Sequence, residues 1–268
     1  MDPRRGRPRR GHVRGDRPSA YRAPVRVGPR WEPPVPPLTR HGWALVAVGV
    51  AAGITYCGFL VYAVWPADGF SWVTSIISEM EAEGAPHGLT LRILDAVSAV
   101  LTLVLVPWLW WAFPADVFGR IAVWGVGVFG VFGIPAGLVP LPCHAAEQDC
   151  RLTAAEEVQS NIHDGTSIIS TTALIIGAAA AAWALRRTGP RWMVRAGWVT
   201  VAVQILTGLG FAAAWFADSD DVSGVLQRIE VVGIGAWVAC LGIYAATHGI
   251  PARARRRGGP AGDVRPAG

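Results

Sequence analysis

Four ionisable side chains lie at similar depth in three of the long apolar segments of this sequence. Asp95 and His163 belong to two different segments, and Arg228 and Glu230 belong to a third. An ionisable group is costly inside such a segment, so each of the four is a candidate for a functional site. Carboxyl and imidazole groups act as general acids or bases, and a guanidinium holds anionic groups. The pattern therefore predicts a polar site that binds or transforms a small molecule.

Other polar residues extend this candidate site. Ser167 follows His163 by four residues and shares its helix face, whereas Asp164 is rotated from it by about 100°. Arg92 precedes Asp95 by three residues, so the two side chains can pair. The predicted catalytic residues are Asp95, His163, Ser78 and Asp164, and the predicted substrate-binding residues are Arg92, Arg228, Glu230 and Ser167.

Two known catalytic arrangements can be drawn from these residues, but neither has a supporting motif. Ser78, His163 and Asp95 could form a nucleophilic triad, yet no nucleophile-elbow pattern surrounds the serine. His87, His144 and His163 could hold zinc, yet no pair of histidines has the H-x-x-x-H spacing of a helical zinc site. We predict no metal site, and the sequence identifies no cofactor.

Six apolar segments are long enough to cross a membrane as helices. Each exceeds the roughly 20 residues that a hydrocarbon core of about 30 Å requires, and none shows the alternation of a membrane β-strand. The predicted fold class is therefore all-α, a polytopic membrane protein with a six-transmembrane-helix bundle. The predicted segments are residues 43–65, 89–113, 120–141, 162–185, 196–217 and 228–249.

The charged residues outside these segments indicate how the chain is threaded. The sequence has 24 Lys and Arg residues, all of them Arg, concentrated in the first 40 residues, the 186–195 loop and the C-terminal tail. Carboxylates concentrate in the three loops at the other ends of the segments. Basic residues are retained on the cytoplasmic side, so both termini are predicted to be cytoplasmic. The expected location is the cell (plasma) membrane, with multiple passes.

Residues 1–40 and 251–268 flank the predicted helical domain at 41–250. The first flank is rich in Arg and Pro and the second in Arg, so neither can bury enough apolar surface to fold. We predict a disordered cytoplasmic arm and a disordered cytoplasmic tail, with membrane lipids as their partners. Nucleic acid is not a predicted partner, because membrane threading already accounts for the distribution of arginine.

Two functions fit the candidate site, and the sequence leaves open whether the protein is an enzyme. In the first, the site faces outward and binds or acts on a lipid or prenyl-like substrate. Asp95 and His163 would serve as acid, base or ligand, and Arg228 would hold an anionic head group. In the second, a non-catalytic protein uses the same residues as a structural interhelical network and functions through partner binding.

Cys143 and Cys150 flank a short polar stretch before the fourth apolar segment. Outside a bacterial-type membrane the environment is oxidising, so these two cysteines are predicted to form a disulfide. Cys57 and Cys240 fall in apolar segments, where they are expected to be packing residues.

Several short motifs resemble a known family of membrane proteins. They are an S-E…G-A-P…R-x-x-D stretch (Ser78, Glu79, Gly84, Ala85, Pro86, Arg92, Asp95), an L-x-P-x-P-C segment ending at Cys143, and His163-Asp164 at the predicted start of a helix. Together with the six segments, they make residues from about 43 to 249 resemble the bacterial and archaeal domain of unknown function 998. That family has an acidic residue after the Pro-Cys, where this chain has His144. The resemblance implies six spans and an outward polar patch, and brings no established activity.

Overall fold

Helices make up all the regular secondary structure in the residues that the computed structural model describes, which are 38–62, 70–143, 151–217, 219 and 222–249. The all-α prediction is therefore confirmed for this part of the chain. The predicted arm at 1–40 (apart from its last three residues) and the tail at 251–268 lie outside it. The helices are α1 (Arg40–Tyr56), α2 (Phe59–Tyr62), α3 (Ile77–Met80), α4 (Gly88–Ala112), α5 (Val117–Leu138), α6 (Ala154–Leu185), α7 (Arg191–Phe216) and α8 (Ser223–His248).

Five helices, α4 to α8, are long and apolar enough to cross a membrane. The shortest is α5, whose 22 residues reach about 33 Å at 1.5 Å per residue. Helix α1 has 17 residues and is separated from the short α2 by Cys57 and Gly58. Residues 63–65, the end of the predicted first segment, are outside the described part of the chain. Of the six predicted spans, five are thus supported by length and composition.

Large apolar side chains cover the outward faces of these helices. Trp111 is 70% exposed, Leu206 67% and Ile168 65%. In water such a surface would be costly and prone to association, whereas lipid tails are as apolar as the side chains themselves. The outward surface of the helices is therefore suited to contact with the hydrocarbon core of a membrane.

Helix α6 begins well before the apolar segment that predicted it. Thr153 caps it: the Thr153 Oγ1 accepts a hydrogen bond from the Glu156 amide at 3.4 Å, and a Glu156 carboxylate oxygen accepts one from the Thr153 amide at 2.7 Å. The prediction that His163 and Asp164 start this helix is wrong, because both lie in its third turn. The T-x-x-E pattern is a capping-box signature that marks the true start in the sequence.

The backbones of α1 and α8 touch through glycines. A Cβ atom on Gly49 would lie 2.7 Å from the Gly242 Cα, and one on Gly53 would lie 2.5 Å from the Gly235 carbonyl oxygen. Small residues allow this approach, which matters in a membrane because van der Waals contact rather than the hydrophobic effect holds helices together. Helix α1 also packs against α4.

Buried apolar residues fill the end of the bundle where α4 stops. Leu109, Leu185, Met193 and Tyr244 are each at most 2% exposed there. The Tyr244 hydroxyl donates a hydrogen bond to the Ala112 carbonyl at 3.0 Å, which satisfies its only polar atom. This end is therefore closed, and the polar residues of the bundle collect at the opposite end.

The contact between α1 and α8 predicts the effect of adding one methyl group. We expect Gly49→Ala to lower the free energy of unfolding by about 1–3 kcal/mol, because the new Cβ overlaps the α8 backbone. Thermal unfolding in detergent micelles measures the effect. Gly127→Ala is the matched control, since a Cβ on Gly127 meets no atom within 4 Å. Equal stability of the two variants would contradict the predicted contact.

Candidate functional site

A cavity of about 340 Å³ lies at the end of the bundle where α4, α6 and α8 begin. Volumes of about 300–1,000 Å³ are typical of small-molecule sites. Helices α1 and α4 to α8 all line it, together with the 70–87 segment, the stretch between α2 and α4 that carries α3. Its polar lining includes Ser78, Glu81, Asp95, His163, Gln227 and Glu230.

Two carboxyl groups in this lining are hydrogen-bonded to each other. Glu81, at the end of α3, is 5% exposed, and its side chain bonds to that of Asp95 on α4. Such a bond requires that one of the two carboxyls carry a proton. Burial raises the pKa of Glu81 well above its usual range, Asp95 raises it further, and Arg92 opposes the rise. The pair therefore shares a proton under conditions in which an exposed glutamate has lost its own.

A glycine on α5 makes room for Asp95. A Cβ on Gly137 would lie 3.0 Å from the Asp95 Cβ and 3.3 Å from the Arg92 carbonyl oxygen. Within the described ranges, Asp95 bonds to Glu81 and forms no ion pair with Arg92. Arg92 is half-buried outside the lining, and its Nε has no hydrogen-bond partner. The 70–87 segment decides this outcome, since it brings a second carboxyl to Asp95.

His163 presents a defined tautomer. The side chain is 5% exposed, and its Nδ1 lies 2.8 Å from the Val139 carbonyl oxygen at the end of α5. A carbonyl only accepts hydrogen bonds, so Nδ1 carries a proton, and in the neutral imidazole Nε2 keeps its lone pair. No partner for Nε2 is found among the described residues, and His163 lines the cavity. His163 therefore offers a hydrogen-bond acceptor, or a base, to whatever the cavity holds.

The triad that could be drawn from the sequence is not assembled. The Ser78 hydroxyl accepts a hydrogen bond from Gln227 Nε2 at 3.2 Å, while Asp95 and His163 bond to Glu81 and Val139 as described. A nucleophilic triad needs the acid on the histidine Nδ1 and the serine on its Nε2, so these three residues do not form one.

A zinc site also lacks its geometry here. No group of three or more His, Cys, Asp or Glu side chains in the described ranges is placed to hold a metal ion. His87 is exposed at the start of α4, whereas His163 is buried, so the two do not share one site. His144 lies outside the described residues.

Arg228 holds the 70–87 segment onto α8. Its Nη1 donates hydrogen bonds of 2.8 Å to the carbonyl oxygens of Ser75 and Gly224, and its guanidinium lies 4.8 Å from the centre of the Trp72 ring. Next to it, the Gln227 amide oxygen accepts a hydrogen bond from the Ile77 amide. Arg228 does not line the cavity, so its geometry is that of a structural clamp rather than of a head-group ligand.

The structure thus divides the predicted site residues into two sets. Ser78, Asp95, His163, Ser167 and Glu230 line one cavity. Arg92 and Arg228 lie outside it, and Asp164 is exposed on α6 because it is rotated away from His163.

The sequence reasoning missed Glu81 as a site residue. It is the middle of three acidic residues that alternate with Met80 and Ala82, and loop carboxylates are ordinarily solvated. Only its apolar neighbours distinguish it in the sequence. Gln227 was also left out, although it directly precedes the apolar segment that contains Glu230.

Cys143 is disulfide-bonded, while Cys57 and Cys240 are free and half-buried. Cys150, the predicted partner of Cys143, lies outside the described residues, so their pairing stays a prediction.

The apolar helices and the polar cavity between them define a helical integral membrane protein. Residues 40–244 match the family described as protein of unknown function (DUF998). Because the match spans most of the chain, the protein belongs to this family, as its motifs predicted. No curated protein and no solved structure is significantly similar to it.

The carboxyl pair predicts an unusual dependence of stability on pH. The folded protein holds the Glu81 proton more tightly than the unfolded chain does, so the free energy of unfolding falls as pH rises from the ordinary glutamate range through the raised pKa. We expect Glu81→Gln, which is neutral at every pH, to weaken this fall. Thermal unfolding in detergent between pH 5 and 8 measures it.

The control is Glu157→Gln, an exposed residue on α6, which should retain the wild-type dependence. If the free energy of unfolding changes with pH in the same way for wild type and Glu81→Gln, then Glu81 titrates like a solvated residue and the prediction is wrong.

Proposed function

We propose that this protein is a six-span protein of the cell membrane whose cavity binds the polar head of a lipid-like amphiphile and acts on it. The observation that carries this proposal is a lateral opening of the cavity between α6 and α7. A polar site that opens sideways into hydrocarbon suits a ligand with a polar head and an apolar chain.

Three residues mark the opening. Ile168 and Thr172 on α6 and Gly208 on α7 all line the cavity, and all three are exposed on the outside of the bundle. A residue that faces both the cavity and the surroundings lies at its mouth. Phe211, one turn from Gly208, continues the apolar wall.

Helices α6 and α7 pack closely near the turn that joins them and less closely at the level of the cavity. Near the turn that joins them, a Cβ on Gly197 would lie 3.0 Å from the Ala182 Cβ, so α6 and α7 are in contact. Further along α7, a Cβ on Gly208 would meet no atom within 4 Å. The gap is thus continuous with the cavity at one end and sealed at the other, as an amphiphile parallel to the helices requires.

The cavity lining also supports proton transfer to or from a bound head group. His163 Nε2 can accept a proton from a hydroxyl of the head group, and the Glu81–Asp95 pair can donate a proton to it. Ser167, one helical turn from His163, adds a hydroxyl to the same wall. Asp95 and His163 are therefore the residues we propose for catalysis.

The charge distribution supports cytoplasmic termini. Among the described arginines, Arg40, Arg120 and the four between 186 and 195 lie at the closed end of the bundle, where α1 and α7 begin and α4 and α6 stop. The carboxylates Glu83, Glu156 and Glu157 lie at the cavity end. Retention of arginine in the cytoplasm would orient the cavity toward the outer leaflet.

Helix α1 is the proposed sixth span. Its 17 residues reach about 26 Å, and backbone hydrogen bonds from Leu60 to Cys57 (3.0 Å) and from Val61 to Gly58 (3.1 Å) carry the chain onward in helical fashion. Its glycine contacts with α8 support a position inside the bundle rather than at the membrane surface.

The alternative is a non-catalytic protein whose polar residues form a structural network and whose function is partner binding. The contacts of Arg228 and Gln227 with the 70–87 segment favour this role for those two residues. They do not account for the cavity or for the unpartnered Nε2 of His163.

Photolabelling tests the proposed site. The probe is hexadecanol bearing a diazirine in its chain, added to the protein in lipid nanodiscs. We expect label on the α6 and α7 residues around Ile168 and Gly208, and at least a tenfold loss of that label in Gly208→Trp, which fills the opening.

Gly127→Trp is the matched control, because Gly127 also has no atom within 4 Å of its Cβ but does not line the cavity. Label spread evenly over all lipid-facing helices, and unchanged by Gly208→Trp, would contradict the proposal.

Topology is tested with reporter fusions. Alkaline phosphatase fused after Gln148 should be active, and the same enzyme fused after Thr188 should be inactive, because only the first site would face the oxidising side. Green fluorescent protein should give the reverse pattern. The opposite result for both reporters would turn the cavity toward the cytoplasm.

A further inference from the structure

We propose that the head group taken by the cavity carries one protonated amine, and that the cavity selects it over an anionic head. This inference rests on the proposed binding of an amphiphile. It departs from the anionic head group expected from the sequence, since Arg228, the residue expected to hold it, is engaged elsewhere.

The charges of the lining support this choice. Glu81, Asp95 and Glu230 line the cavity, and no Arg or Lys is among the lining residues that the structure describes. Glu81 and Asp95 lie close together, and Arg92 lies near Glu81 but outside the lining. The Glu230 side chain has no hydrogen-bond or ion-pair partner in the described ranges. A protonated amine would meet three carboxyl groups and no competing cation on this lining.

His163 is a second observation, independent of the carboxyls. Its side chain is 5% exposed, its Nδ1 is held by the Val139 carbonyl at 2.8 Å, and its Nε2 is an acceptor without a partner. Because His163 lines the cavity, its Nε2 is open to a donor on the ligand. An ammonium group has three N–H donors and no acceptor, so it can satisfy His163 and a carboxylate together. A carboxylate or a phosphate dianion brings no such donor.

Aromatic rings complete the match. Tyr56 and Phe129 both line the cavity, with their ring centres 5.9 Å apart at an interplanar angle of 70°. Phe211 lies on the same lining. Aromatic faces attract cations, most strongly where water is excluded. Carboxylates and aromatic rings together are therefore a lining for an alkylammonium group.

Competition against the diazirine-bearing hexadecanol probe tests the inference at neutral pH in nanodiscs of uncharged lipid. The competitors share one chain and differ in the head: hexadecylamine, hexadecanol and hexadecyl phosphate. We expect hexadecylamine to displace the probe at a concentration at least tenfold lower than hexadecanol, and hexadecyl phosphate to be weaker than both.

Variants identify the residues responsible. Glu230→Gln should raise the hexadecylamine concentration needed for displacement about tenfold and leave that of hexadecanol unchanged, since only the charge is lost. Asp95→Asn is made in parallel, so that the result does not depend on the folding of one variant, and thermal unfolding checks both. Glu157→Gln, exposed and outside the lining, should behave as wild type.

The outcomes separate the two proposals. Equal displacement by the amine and the alcohol, or stronger displacement by the phosphate, overturns the ammonium inference and leaves amphiphile binding intact. Amine selectivity that survives in both Glu230→Gln and Asp95→Asn overturns it as well. If the probe does not label the cavity at all, the proposed function fails together with the inference built on it.

Discussion

Two carboxyl groups, Glu81 and Asp95, meet at the polar end of this membrane protein, where the 70–87 segment lies against the bundle. Glu81 and Asp95 come from a loop segment and a membrane helix, and as two carboxylates they would repel each other in surroundings with little water to screen them. A hydrogen bond between them, which requires one proton, instead joins the 70–87 segment to α4. On its other side, Arg228 and Gln227 bond the same segment to α8, which places it over the cavity.

The clamp shows how two neighbouring charges on one helix acquire different roles. Arg228 and Glu230 are two residues apart, so they point to faces of α8 that differ by about 200°. Arg228 faces the 70–87 segment and donates to the carbonyl oxygens of Ser75 and Gly224. Glu230 faces the cavity. The Nη1 of Arg228 is therefore bonded to the protein backbone, whereas the Glu230 side chain has no partner among the described residues.

The bundle is asymmetric along its helices because small residues are distributed unevenly. Glycine and alanine bring α6 and α7 together near Gly197, and close packing of this kind holds membrane helices where no hydrophobic effect operates. No such contact forms at Gly208, which lines the cavity. The bundle thus has a tightly packed apolar end and a polar end that holds the cavity.

The sequence by itself determined the class of this protein. Apolar segment length is a local property that membrane burial imposes on any chain, and it predicted the helices, while the short motifs within and between the segments predicted the family. The sequence also drew attention to Asp95, His163 and Glu230, because ionisable groups stand out in apolar surroundings. The start of α6 was readable too, from the Thr153–Glu156 capping box, whose polar residues lie outside the apolar run.

Only the tertiary structure decided which polar groups meet. Arg92 lies close to Asp95 in the sequence, yet Asp95 bonds to Glu81, because contact depends on how a distant segment folds over the helix. Glu81 looks like a solvated loop residue until that segment is placed. The lateral opening likewise arises from the relation between two helices, which no periodicity within either one encodes. Local patterns fix the elements, whereas the cavity is a product of contacts between residues far apart in the chain.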